Sequence, residues 1–177
     1  NLASKYGGVY IFNQKFVDEI EKQEQIRDSK RKEILERIKT IPNKNERNKK
    51  MREILKLEFY NNPEMQQVLS NGKPYYTINT YQKAVNLSKT YIDKVINHIG
   101  QENYYKFTPD INVWSFYIDD NNNIVPIELT VTYNYKVKKY GLFGDEGRGF
   151  SLSKGEIHTA KGGNKFILNK NKFEKVK

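Results

Sequence analysis

Cysteine is absent from the 177 residues, which removes disulfides, thiol nucleophiles, iron–sulfur clusters and thiolate zinc sites together. No apolar run approaches the ~18 residues of a membrane-spanning helix. Histidine occurs twice, and neither copy has a second histidine or an acid at metal-ligand spacing. No glycine-rich stretch ends in the Gly-Lys-Ser/Thr of a phosphate loop. The sequence therefore names no cofactor, no metal and no catalytic residue.

Hydrophobic residues make up 37% of the chain and aromatics 13%. That is enough to form one sizeable core despite a mean hydropathy of −0.84. Basic residues exceed acidic ones by ten, 31 against 21. The surplus sits in two places, +7 over residues 27–56 and +7 over 134–177, and the rest sums to −4. Such charge suits phosphates or an anionic surface, but on a helix it more often forms a solvated face. Most aromatics fall on the apolar face of an expected helix or strand, so a nucleic-acid partner is not expected. The Asn-, Lys-, Ile- and Tyr-rich composition and the Asn1-Leu2-Ala3-Ser4 start predict an extracytoplasmic or membrane-anchored protein of a low-GC bacterium, with an arbitrary boundary as the alternative.

Phe12, Phe16 and Ile20, then Ile34, Leu35 and Ile38, recur at three- and four-residue steps and predict one long helix over 9–40. Its middle is almost wholly polar, so residues 1–40 read as a helical appendage able to project from a single domain spanning 1–177. Pro42 and Asn43 end it. A second helix follows at 44–60, and Asn62-Pro63-Glu64 opens a short third. Residues 73–78 read as a brief strand or an extended entry to the next helix. A wide stripe from Tyr81 through Ile92 to Ile99 predicts an amphipathic helix over 79–99, stopped by Gly100.

After Gly100 the period changes from 3.6 to 2. Strands are expected at 111–118, at 125–137, at 150–160 and at 165–176. Residues 119–123 form a turn cluster, in which Asp119 and Asp120 read as turn chemistry rather than a catalytic pair. Residues 141–149 read as a glycine-rich hairpin loop. Helices first and strands after give an α+β fold, with a helical layer on one face of a four-stranded curved antiparallel sheet over about 110–176.

The element order resembles that of the nuclear-transport-factor-2-like fold over residues 44–177. The likeness is carried by Tyr75-Tyr76, the stripe over 81–99, the strand over 125–137 and the ending Gly163-Asn164-Lys165-Phe166-Ile167-Leu168. The resemblance implies a curved sheet wrapping helices into a cone. Members of that fold include isomerases, dehydratases, transport adaptors, conjugation subunits and domains of exported lipoproteins, so it leaves function open. It makes Tyr75, Tyr81, Trp114, Phe116, Tyr133 and Tyr135 the candidates facing the cone, with His158 near its mouth. Leu142, Phe143 and Arg148 are the candidate surface contacts.

The leading expectation is a non-enzymatic binding domain associated with the cell envelope, taking an unknown protein partner or a small apolar ligand. The rivals are a cone-pocket enzyme using Tyr133, Tyr135 and His158, and a basic protein on nucleic acid or an anionic surface.

Overall fold

A computed structural model describes residues 2–62, 65, 67–81, 83–145, 147 and 149–176. The fold is α+β. Five helices, α1 (Leu2–Tyr6), α2 (Gln14–Arg37), α3 (Lys44–Leu55), α4 (Lys89–Ile99) and α5 (Gln101–Phe107), accompany seven strands among the described residues. The strands are β1 (Gly8–Ile11), β2 (Tyr75–Thr77), β3 (Asp110–Ile118), β4 (Ile124–Asp145), β5 (Gly149–Ala160), β6 (Asn164–Asn169) and β7 (Lys172–Lys175). The sheet runs β2-β3-β4-β1-β6-β7, with β5 paired to β4 alone.

This corrects the expected four-stranded antiparallel meander. The sheet is mixed, because β6 runs parallel to β1 and does not pair with β5. The expected last strand is a hairpin of β6 and β7, folded at Lys170 and Asn171. Both have positive φ, 44° and 70°, as a tight two-residue turn requires.

The expected long first helix is also corrected. Residues 8–11 are strand β1, inserted between β4 and β6. Val9-Tyr10-Ile11 combines β-branched and aromatic side chains that suit a pleated surface. The helix begins only after Asn13, whose side chain accepts the Phe16 N–H at 3.2 Å as an N-cap. Phe12 and Phe16, which look like helical neighbours in sequence, pack apart. Phe12 meets Tyr91 and Phe173, and Phe16 meets Tyr117.

The amphipathic helix starts ten residues later than its stripe suggests. Thr80 folds back on Thr77, its Oγ1 accepting the Thr77 N–H at 3.0 Å and donating to the Thr77 carbonyl at 3.1 Å. Such side-chain bonds compete with helix formation. Tyr81, Val85 and Leu87 still pack on the core, but from non-helical backbone. After Gly100 the short α5 precedes the first long strand. The expected short helix at Asn62-Pro63-Glu64 falls partly outside the described residues.

Helices cover the sheet on both faces. Tyr10 packs on one side with Phe116, Leu129, Val131 and Phe166 against Val95 and Ile99 of α4. Ile11 packs on the other with Ile127 and Tyr75 against Val17 and Ile20 of α2. Each fully buried side chain of this size adds about 1.5–3 kcal/mol of transfer free energy. A third cluster joins the far end of α2 to α3 through Ile34, Ile38, Leu55 and Phe59, the last in a π-helical turn over Lys56–Tyr60. Arg37 donates to both Glu58 oxygens there, at 2.8 and 2.9 Å, and Lys30 pairs with Glu58 at 3.1 Å.

Candidate functional site

Strand β4 is 22 residues long, and its neighbours change along it. Its first part is flanked by β3 and β1, whose pairings end at Thr132 and Val131. From Tyr133 onward its pairing partner is β5, in a register that opposes Tyr133 to Ala160 and Asp145 to Gly149. The two strands leave the sheet as a two-stranded arm, roughly 40 Å long at 3.3 Å per residue. Residues 141–145, expected as loop, are strand. A register shift between Tyr140 and Phe143 places one extra residue in β4, a bulge that raises local twist. Gly144, at φ 131°, would place a Cβ 2.0 Å from the Gly149 carbonyl oxygen, so only glycine fits where the strands close.

One face of the arm carries Tyr135 stacked on His158, with ring centroids 5.7 Å apart and planes inclined at 24°. On the same face Glu156 accepts from Lys139 at 2.7 Å and lies 3.6 Å from His158 Nε2. The Lys139 hydrogen bond holds the Glu156 carboxyl below its usual range. By strand alternation Leu152 and Phe150 continue this face. The opposite face carries Ile157 and Tyr140, with Asn134 accepting from Thr159 at 2.7 Å. Tyr140, Leu142, Phe150, Leu152 and Ile157 each expose between 61% and 81% of their surface.

Where the arm joins the body, Leu2, Ala3, Phe107, Tyr133, Tyr135 and Ala160 line an apolar groove of about 540 Å3. Tyr133 is buried there, and its hydroxyl has no hydrogen-bond partner among the described residues. Burial raises its pKa.

A second groove, of about 530 Å3, opens on the α2 side of the sheet. Trp114 borders it with Glu128, Thr130, Thr132 and Lys165. Ser115 Oγ donates to Glu128 Oε2 at 2.7 Å, yet burial pushes the Glu128 carboxyl above its ordinary range. A flat aromatic face beside a half-buried carboxylate can hold a polar ligand. In sequence Glu128 reads as an outward residue of a wet face. Its face is covered instead by α2, which strand alternation alone does not reveal.

The expected cone-facing residues do not converge on one pocket. Tyr81 and Phe116 meet edge to face at 5.1 Å inside the α4-side core. Tyr75 lies in the α2-side core, its pKa pushed up to about 12 by burial. Trp114 borders the α2-side groove, 45% exposed. Tyr133, Tyr135 and His158 belong to the arm and its root. Leu142 and Phe143 sit near the arm's end, Phe143 with its ring over Gly141, and Arg148 lies outside the described residues. Asp119 is a turn former: its Oδ1 accepts the N–H groups of Asn121 and Asn123 at 2.9 and 2.8 Å.

Among the described residues no three His, Asp or Glu side chains gather as a metal site, and no helix is long and apolar enough to cross a membrane. Compared with protein families, curated proteins and solved structures, the chain matches none.

Proposed function

We propose that this chain is a non-enzymatic interaction module that engages a protein partner through the β4–β5 arm and the apolar groove at its root. One observation carries the reading. Five large apolar side chains stand exposed on a ribbon whose only strand pairing, among the described residues, is within itself. An isolated two-stranded ribbon is marginal in water, and large apolar side chains exposed on both faces of one call for a covering partner. Lys136, Lys138, Lys139 and Lys154 along the arm guard it against indiscriminate edge pairing, which leaves room for a specific one.

The test is photo-crosslinking in the cells that make the protein, with a photoreactive residue at Leu152 and a control at Asn121. A discrete adduct from position 152, lost with Phe150→Asp, supports the reading. Equal labelling from 152 and 121 overturns it.

A small-ligand reading is favoured by a different observation, the Trp114–Glu128 groove. Trp114 is the chain's single tryptophan, so its fluorescence reports that groove directly. A saturable emission change with a candidate ligand, abolished by Glu128→Gln, supports a ligand site there.

A further inference from the structure

The arm carries a knob near its tip and a hole at its root, on the same strand and the same face. Phe150 and Leu152 project near the tip, and Ala160, ten residues along β5, lines the root groove. Even spacing keeps Phe150, Leu152, Lys154, Glu156, His158 and Ala160 on one side of the strand. A two-fold axis through Gly155 maps each half of this row onto the other. We infer that the partner of the arm is a second copy of this chain, paired antiparallel along the outer edges of the two β5 strands about Gly155. The inference rests on the arm being an interaction element.

In this register Phe150 of one copy lies opposite Ala160 of the other, above the groove of Leu2, Phe107, Tyr133 and Tyr135. Leu152 lies opposite His158, beside its stacked Tyr135. Lys154 of each copy faces Glu156 of the other, so the charges nearest the axis are complementary in both directions. Self-complementarity of this kind is what a closed two-fold interface requires. At the axis itself stands glycine, and a Cβ built on Gly155 meets nothing within 4 Å. A glycine inside a strand is a place where another backbone can approach closely. Strand β5 contains no proline, and among the described residues β4 is its only hydrogen-bonded neighbour. Large apolar side chains exposed to this degree offer roughly 100 Å2 each. Phe150 and Leu152 therefore bring on the order of 200 Å2 per copy, and the strand edge and the two Lys154–Glu156 pairs add to it.

The experiment uses the full chain, with light scattering across concentration and sedimentation equilibrium for the dissociation constant. A dimer is expected, and Leu152→Asp should raise its dissociation constant by at least about tenfold. Lys154→Glu should weaken it, because two like-charge pairs replace two opposite ones. Lys154→Glu with Glu156→Lys should restore it, with the circular dichroism of every variant unchanged.

The cysteine-free background supplies a second measurement. Directly opposed residues of antiparallel strands lie about 4.5–5.5 Å apart at Cα, within disulfide reach. Gly155→Cys should therefore form an intermolecular disulfide under mild oxidation, and Gly163→Cys should not. A chain that stays monomeric up to about 100 µM overturns the inference. So does a dimer indifferent to Leu152→Asp, or equal crosslinking of the two cysteine variants. A monomer that still gives a discrete adduct from position 152 with a different protein removes the second copy as partner and leaves the interaction reading standing.

Discussion

Asn164 holds Gly7 across 157 residues of chain: its side-chain Nδ2 donates to the Gly7 carbonyl at 2.8 Å and to the Ser4 carbonyl at 2.9 Å. The Asn164 main-chain N–H reaches the same Gly7 carbonyl at 3.3 Å. The start of β1 is thereby fastened to the start of β6, and the first strand is seated between two strands formed far later in sequence. Closure of the sheet, and so the position of the arm root beside Leu2 and Ala3, depends on this junction.

The junction tolerates no side chain at Gly8. Its φ is 146°, and a Cβ there would stand 2.0 Å from the Asn164 carbonyl oxygen. Gly8→Ala should cost more than about 3 kcal/mol, through strain and displacement of buried backbone. Asn164→Ala, which leaves two carbonyls without this donor, should cost about 2 kcal/mol. Gly155→Ala, in open space on the arm, should stay within about 0.5 kcal/mol. Urea denaturation of the three variants checks the ranking. Equal losses at Gly8 and Gly155 would show that β1 is not locked as described.

Glu128 makes a pH-dependent contribution of unusual sign for a carboxylate. Burial raises its folded-state pKa above the unfolded value, against the Ser115 hydrogen bond and the attraction of Lys165. The folded protein therefore binds the proton more tightly than the unfolded chain, and this group's contribution to stability falls as pH rises from the ordinary carboxyl range through the folded pKa. Glu128→Gln should remove that fall and be neutral or stabilising at pH 7. Ser115→Ala should steepen it and cost about 1–2 kcal/mol, since the carboxylate loses its donor. The measurement is unfolding free energy from pH 4 to 8, each variant against the parent. Parallel curves for parent and Glu128→Gln would mean that Glu128 titrates as a solvated acid.

The sequence and the structure agree where a single physical signal dominates. The α+β class follows from the change of period after Gly100. The turn after β3 follows from Asp119 and its three asparagines, and the strand over 125–137 from unbroken alternation. Disagreement comes where two signals compete locally and a distant contact decides. Phe12, Phe16 and Ile20 have helical spacing, but Asn13 can cap, and β1 is chosen by pairing with β4 and β6 more than 100 residues away. Tyr81, Val85 and Leu87 satisfy the core from non-helical backbone, so their hydrophobicity is legible and their helicity is not. The exposure of Leu142 was legible. The arm was not, because glycines at 141, 144, 147 and 149 read as loop, whereas Gly144 stands where two strands need room to close. Glu128 was hidden for another reason: strand alternation says which face a residue takes, not whether a helix covers that face.

His98 extends the pH argument to the α4-side core. Its ring lies among Tyr6, Tyr10 and Phe166, with centroids 5.9, 5.6 and 4.7 Å away. Burial lowers its pKa from the usual imidazole value, and a hydrogen bond to the Phe173 main chain only partly opposes this. The unfolded chain therefore takes up the proton at higher pH than the folded protein. The contribution is fully present above an unfolded pKa of about 6.5 and is lost as pH falls through the folded value. Its slope is opposite in sign to that of Glu128, so single variants separate the two in one titration. His98→Phe keeps an aromatic ring in the cluster and removes the titration. It should flatten the limb on which stability falls with falling pH below about 6.5, while leaving the Glu128 limb unchanged. Loss of the Glu128 limb in this variant would show that the two faces of the sheet are coupled through Tyr10 and Ile11. An unchanged profile across both ranges would place His98 in solvent rather than in the aromatic cluster.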